Sequence, residues 1–352
     1  MSGNQFFPPP GAAAGPPPAA PPPYPPAPPS GYPAQFRGAA HKPGAVPLRP
    51  LGLGDIYDAA FKIIRVNPKA TVGSAVLVTA VAMAIPVLLT SVLTLALDLS
   101  LDTEATDFST GEAVGLAGSL ASLVLGLLLQ SIGLVLATGM VAHVVAAAAV
   151  GQKLSLGAAW ACTRGKRWRL IALTLVLLAM TLLLIAAYAV AWLAVAALGD
   201  GWTIVIFGLV TGPLFVAGML WFWIRVYYLP VPVLMLEPVG ITGAIARGYR
   251  LTSRAFWRTF GIALLTVLIA QIAAGVLTFP VSLAGQLGML ADATSEYAML
   301  ILVVTQALAS VISAAFVAPF TAAVACLQYL DQRIRTEAYD VALMSQAGLT
   351  RP

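Results

Sequence analysis

The chain has 352 residues, 59% of them hydrophobic and only 9% charged, with a formal net charge of +5. A water-soluble domain carries about 25% charged residues, so an ordinary soluble globule is excluded, and long continuous apolar runs place the chain in a membrane. The basic excess is spread over short loops beside those runs, so it reads as orientation signals and lipid-headgroup contacts, not as a nucleic-acid surface.

Residues 1–46 hold 15 of the 26 prolines. Proline lacks a backbone N–H and apolar bulk is scarce here, so the expectation is a disordered cytoplasmic Pro/Ala/Gly-rich tail. The tail reads as a docking arm for the Pro-binding groove of a protein partner, or as a solvated spacer. No apolar stretch of signal-peptide type stands in it, so the first membrane span is expected to serve as the insertion signal.

Residues 47–335 are expected to form an all-α membrane domain of six transmembrane helices, with a short cytoplasmic tail at 336–352. The spans are placed at 72–97, 120–150, 170–198, 203–228, 260–283 and 300–327. Each exceeds the roughly 20 helical residues that cross a bilayer core. The runs are continuously apolar and do not alternate, which excludes a β-barrel. Aromatic residues bracket the fourth span, Trp202 at one end and Trp221, Trp223, Tyr227 and Tyr228 at the other.

Orientation follows from the loops. All 19 Lys and Arg residues fall on one side of this reading. They include Lys62, Arg65 and Lys69, then Lys153, Arg164, Lys166, Arg167 and Arg169, then Arg247, Arg250, Arg254 and Arg258, and finally Arg333, Arg335 and Arg351. The opposite loops carry Asp98, Asp102, Glu104, Asp107, Glu112, Asp200, Asp292 and Glu296. By the positive-inside rule both termini are cytoplasmic and the protein sits in the plasma membrane.

A threefold pattern runs through the basic loops. Short amphipathic stretches open near Gly54, Gly157 and Gly243 and end in basic residues, each ahead of a span. The predicted unit is an interfacial helix followed by a transmembrane hairpin. In the first copy Ile56, Ala60, Ile63 and Ile64 share one helical face, with Asp55, Asp58, Lys62 and Arg65 opposite. Such a helix suits the headgroup plane. The three stretches read as a collar that binds anionic lipid or a partner, or as plain linkers obeying the positive-inside rule. Lys62, Arg65, Lys69, Arg164, Lys166, Arg167, Arg169, Arg247, Arg250, Arg254 and Arg258 are the candidate surface, with Trp160, Trp168 and Trp257 as interface anchors.

Inside the spans polar residues are few. His143 and Arg225 are the ionisable ones. Arg225 is expected to extend to the headgroups, and His143 to hydrogen-bond a neighbouring helix or to relay protons. Gln130, Gln271 and Gln306 suit interhelical hydrogen bonds, or a solute path for Gln271 and Gln306. Pro86, Pro213, Pro280 and Pro319 predict kinks, strongest at Thr211-Gly212-Pro213, or broken helices that line a path. Gly208 and Gly212 form a close-packing pair, expected to meet an internal neighbour.

Signals for catalysis are missing. No phosphate-binding loop, HExxH or nucleophile-elbow motif occurs, so no enzyme activity, cofactor or metal is expected. Cys162 and Cys326 are too distant for a metal site and face a reducing compartment.

Two segments carry a resemblance. Pro47-Leu48-Arg49-Pro50-Leu51-Gly52-Leu53-Gly54-Asp55-Ile56-Tyr57-Asp58 with Arg65-Val66-Asn67-Pro68-Lys69, and the stretch from Glu237 through Arg247, Arg250, Leu251 and Thr252 to Phe256-Trp257-Arg258, resemble an actinobacterial family of multipass proteins. That family is named after the membrane domain of glycerophosphoryl diester phosphodiesterases. The resemblance covers roughly 47–335 and implies the membrane domain without its catalytic barrel, so it carries over no catalytic residue. The expected function is a non-enzymatic plasma-membrane protein that organises lipid or protein partners. The alternatives are a permease for a small or amphipathic molecule and a membrane subunit tethering a separate lipid enzyme.

Overall fold

The computed structural model describes residues 44–97, 110–291 and 298–346, and every element among them is helical. In chain order these are α1 (Leu53–Val66), α2 (Pro68–Leu97), α3 (Thr110–Ala149), α4 (Leu156–Cys162), α5 (Arg167–Leu198), α6 (Gly201–Phe222), a π-turn (Trp223–Tyr227), α7 (Pro230–Leu236), α8 (Ile241–Ser253), α9 (Phe256–Ala291), α10 (Ala298–Glu337) and α11 (Tyr339–Gln346). Among the described residues 6 helical stretches are long and apolar enough to cross a membrane, beginning at Pro68, Val124, Arg167, Gly201, Phe256 and Ile301. Only a helix satisfies every backbone group within one apolar segment, which is why these runs fold this way. Residues 1–43, the acidic positions Asp98, Asp102, Glu104, Asp107, Asp292 and Glu296, and Arg351 lie outside the described residues.

α10 is the hub. It packs along α9, α2 and α3, and α2 packs along α3. The large buried side chains gather at the basic end, where Ile56 and Ile63 of α1, Leu170 and Leu173 of α5, Leu234 of α7, and Phe320, Leu327 and Tyr329 of α10 share one core. Farther from that end the contacts pass to small residues such as Ala270, Ala274, Ala309 and Ala314, which let backbones approach.

α1 forms because the Asp55 carboxylate accepts the Gly52 N–H at 3.0 Å, closing its first turn, and it stops at Asn67 ahead of Pro68. Its apolar face, Ile56, Ala59, Ala60 and Ile63, is buried in the protein core, not laid into headgroups. The reason is Phe320 and its neighbours on α10, which offer apolar surface where the isolated helix has only lipid. α8 behaves alike, burying Ala244, Gly248, Leu251 and Thr252.

Several boundaries move. The expected tail yields its last residues to the fold: Ala45 donates to the Ala148 carbonyl at 2.8 Å and Val46 is buried. α10 runs on to Glu337, and α11 follows in what reads as a C-terminal tail. α6 continues through Pro213. A separate irregularity follows at the π-turn around Arg225, and the chain then enters the wholly buried turn Pro230–Met235 of α7. The Gly208 and Gly212 pair does meet an internal neighbour, since Gly208 faces the Trp192 ring of α5.

The α5–α6 pair is buried only at its base. The buried residues are Leu170, Leu173, Thr174 and Leu177 in α5, and Phe222 in α6. Beyond them the two helices hold each other: Tyr188 stacks on Phe215 with centroids 4.1 Å apart, and Trp192 meets Phe207 edge-on at 5.2 Å. The Tyr188 and Thr211 hydroxyls lie 3.2 Å apart.

Candidate functional site

The basic end carries two carboxylate-centred clusters. Asp331 of α10 is fully buried, its side chain 0% exposed. It accepts the Leu51 N–H at 2.7 Å, Arg335 Nε at 2.9 Å and the Arg258 guanidinium. The Leu51 carbonyl in turn accepts Arg258 Nη2 at 2.6 Å and Arg335 Nη2 at 2.9 Å. Both backbone polar groups of one residue outside any helix are thereby satisfied, as a buried backbone requires. The segment leading into α1 is pinned to α9 and α10.

The second cluster surrounds Glu237, where α7 ends. Its carboxylate accepts Arg247 Nε at 3.2 Å and the Tyr329 hydroxyl at 2.8 Å, with Arg333 Nε 3.8 Å away. Glu337 bridges Arg333, at 2.9 Å, and Arg247. Arg333 also lies 3.7 Å over the Tyr339 ring, which holds α11 in place.

Two further candidate cations are committed inward. Lys166 Nζ donates to the carbonyls of Leu234, Met235 and Glu237 at 2.9, 2.9 and 3.0 Å, closing the C-terminal end of α7. Burial, and then repulsion from Arg169, pulls its pKa below the ordinary lysine value. Arg167 lies over the Trp160 ring at 3.8 Å and donates to the Trp160 carbonyl at 2.6 Å. Replacing Lys166 by methionine keeps the stem but orphans three carbonyls. It is expected to cost about 2 kcal/mol, read as a lower detergent melting temperature with faster hydrogen exchange in α7.

Of the eleven candidate basic residues, Lys166, Arg167, Arg247 and Arg258 are thus internal fasteners. Lys62, Arg65, Lys69, Arg164, Arg169, Arg250 and Arg254 stay exposed. The three acids that engage Arg247 and Arg258, namely Glu237, Asp331 and Glu337, escaped the sequence reading. Their signal was position, since a carboxylate on the basic side runs against the charge asymmetry and calls for a partner.

Arg225 is half-buried in the π-turn. Its guanidinium sits among Tyr249, Phe256 and Trp221 at 4.9, 5.3 and 5.9 Å from the ring centroids, and its Nε and Nη1 are buried without a hydrogen-bond partner. The rings provide cation–π attraction in place of water. His143 Nε2 is also buried without a partner, so the interhelical hydrogen bond expected of it is not made at that atom.

Two of the grooves between the helices bear on the candidate residues. One, about 540 Å³, lies among α2, α3 and α4 and is lined almost wholly by apolar side chains, including Leu77, Val81, Ile85, Leu129, Ile132, Leu136 and Trp160, with Gly157 at its basic end. The other, about 330 Å³, lies among α3, α9 and α10 and brings Gln130 and Gln306 together with serine and threonine side chains. Gln271 stands apart from it, exposed on α9. The sequence reading also missed Gln328, whose Nε2 donates to the Tyr228 hydroxyl at 2.9 Å across the foot of the bundle.

Among the described residues no three His, Cys, Asp or Glu side chains converge in a group able to hold a metal ion. Cys162 is exposed and Cys326 buried, both as free thiols. No family model, no curated protein and no solved structure matches the chain.

Proposed function

We propose that this is a non-enzymatic multipass protein of the plasma membrane that binds anionic phospholipid from the cytoplasmic leaflet. In this reading both termini are cytoplasmic, the spans form three hairpins, and α1, α4 and α8 lie at the cytoplasmic interface ahead of them. Exposed Trp168 and Trp257 at the basic end and Trp202 at the other suit the two membrane interfaces. The resemblance to the phosphodiesterase membrane-domain family supports the same class of protein.

The observation that carries the proposal is the apolar groove among α2, α3 and α4. It runs from Ile85 and Leu129 to Trp160, the ring on which Arg167 lies. Arg164 and Arg169, a few residues beyond Trp160, are exposed and hold no side-chain hydrogen bond or ion pair among the described residues. An acyl chain fills an apolar groove of this size, and a phosphate at the groove mouth complements two free guanidinium groups. Arg-to-phosphate recognition is bidentate and charge-assisted, so an anionic lipid is favoured over a zwitterionic one.

Gly157 lines the groove, and a side chain added there meets open space. Gly157→Trp fills the groove mouth while the fold is retained. Native mass spectrometry from mixed phosphatidylglycerol and phosphatidylcholine nanodiscs is expected to show phosphatidylglycerol retained by the wild type. Retention falls about tenfold, ~1.4 kcal/mol, in Gly157→Trp and in Arg164→Ala with Arg169→Ala. Equal retention of the two lipids, unaffected by the variants, sinks the proposal.

A further inference from the structure

The second groove points beyond lipid anchoring, to a different ligand at a different place. It lies within membrane-spanning segments, yet Gln130, Gln306, Thr278, Ser282, Ser310 and Ser313 all line it. Polar groups in an apolar medium cost free energy unless they are paired. Some of these are not paired. Gln130 Oε1 is buried and has no hydrogen-bond partner.

The hydroxyls that are paired use their protons within their own helices. Thr278 donates to the Ala274 carbonyl at 2.9 Å, and Ser310 to the Gln306 carbonyl at 2.9 Å. Each such oxygen keeps lone pairs for the groove but has no proton to give it. The lining therefore offers both kinds of partner, acceptors on these hydroxyls and the amide oxygens, and donors on the Gln130 and Gln306 amides and on Ser282 and Ser313. It contains no Asp, Glu, Lys, Arg or His, so a full charge placed there finds no counter-charge.

The groove also has a direction. At the side, Leu134 and Gln306 are exposed, so it opens on the surface of the bundle. Toward the basic end the bundle is cross-tied. On α10, Gln328 is tied to Tyr228, about 10 Å beyond the last groove residue, Thr321. On α3, Leu170 and Met235 cover Gly139, about 13 Å beyond Gln130.

We infer that this groove is a binding site for a neutral, hydroxyl-rich group of sugar type. Its volume, about 330 Å³, falls at the lower end of ligand pockets, roughly 300–1,000 Å³. Hydroxyl groups both donate and accept, so they match a lining of amides and hydroxyls without bringing a charge. Such a group arrives either as a free sugar or as the headgroup of a glycolipid entering from the side.

The test uses the full chain in phosphatidylglycerol nanodiscs, probed with radiolabelled glucose and, separately, with monoglucosyl diacylglycerol against plain diacylglycerol. Gln130→Leu removes the unpaired acceptor, and Ser310→Ala, a smaller change, guards against misfolding; melting temperatures report on folding. Saturable glucose binding that falls at least tenfold in either folded variant supports a soluble ligand. Selective retention of the glucosyl lipid alone, lost in the same variants, supports the headgroup. If neither probe exceeds its control, or both folded variants bind as the wild type does, the groove holds only water and the inference is overturned. Phosphatidylglycerol retention at the α2–α3–α4 groove is expected to be unchanged in these variants, which separates this result from the proposed lipid function.

Discussion

Asp331→Ala is expected to destabilise the folded protein by about 3 kcal/mol. The carboxylate is 0% exposed, so water does not readily replace it at the Leu51 N–H, while Arg258 and Arg335 keep only the Leu51 carbonyl and solvent. Two effects add. Leu51 N–H loses a charge-assisted hydrogen bond, and Arg258 and Arg335 are left facing each other around a small void. The two guanidinium groups are 30% and 37% exposed, so water takes up part of their charge, which holds the cost to the lower end of the range for a broken buried pair. Asp331→Asn keeps one acceptor for Leu51 and is expected to cost less than half as much. Unfolding in mixed SDS and mild-detergent micelles measures both. Hydrogen exchange provides a local reading, because the Leu51 amide should exchange faster once the chain before α1 is unpinned. An alanine variant as stable as the wild type removes the cluster from any structural role.

Glu237→Ala is expected to cost about 2–3 kcal/mol. Glu237 is 12% exposed and joins three elements, closing α7, holding Arg247 of α8 and bonding Tyr329 of α10. Without it Arg247 and Arg333 share only Glu337, and the Tyr329 hydroxyl keeps only its contact with Arg333. Removing Arg247 as well relieves the surplus positive charge. The double variant Glu237→Ala with Arg247→Ala is therefore expected to be destabilised by less than the two single losses combined, with a coupling of about 1 kcal/mol. Additive losses would show that the two side chains act independently. Glu237→Gln, which still accepts from Tyr329, should fall between wild type and alanine.

The long apolar runs were legible because membrane insertion imposes a length and a composition that nothing else in the chain imitates. Helices begin and end within several residues of the expected bounds at α2, α5 and α6. The short helices ahead of α2, α5 and α9 were also legible, from the spacing of Ile56, Ala60 and Ile63 and from the glycines that open them. Their surroundings were not. Periodicity reports that a face is apolar, but it is silent on whether lipid or protein covers it, and for α1 the cover is α10. The same blindness affects the charges. Arg247 and Arg258 look like any other juxtamembrane arginines until Glu237, Asp331 and Glu337 are brought beside them across 10 to 90 residues of chain. Gln130 and Gln306 were visible as polar residues in spans. Their meeting in one groove depends on helix rotation, which no local pattern encodes. The π-turn around Arg225 gave no comparable local signal.

The α5–α6 pair, buried only at its base and otherwise self-supporting, has a consequence for how the protein meets membranes of different thickness. Elsewhere the inclination of each helix is fixed by its neighbours, so a thinner bilayer has to deform around the α2–α3–α9–α10 bundle. In the pair only the first turns of α5 and the end of α6 are anchored, and the aromatic contacts travel with it as a unit. Its inclination is set by hydrophobic matching to the surrounding lipid. A change in lipid length is therefore expected to be taken up as a tilt of α5 and α6 about Leu170–Leu177.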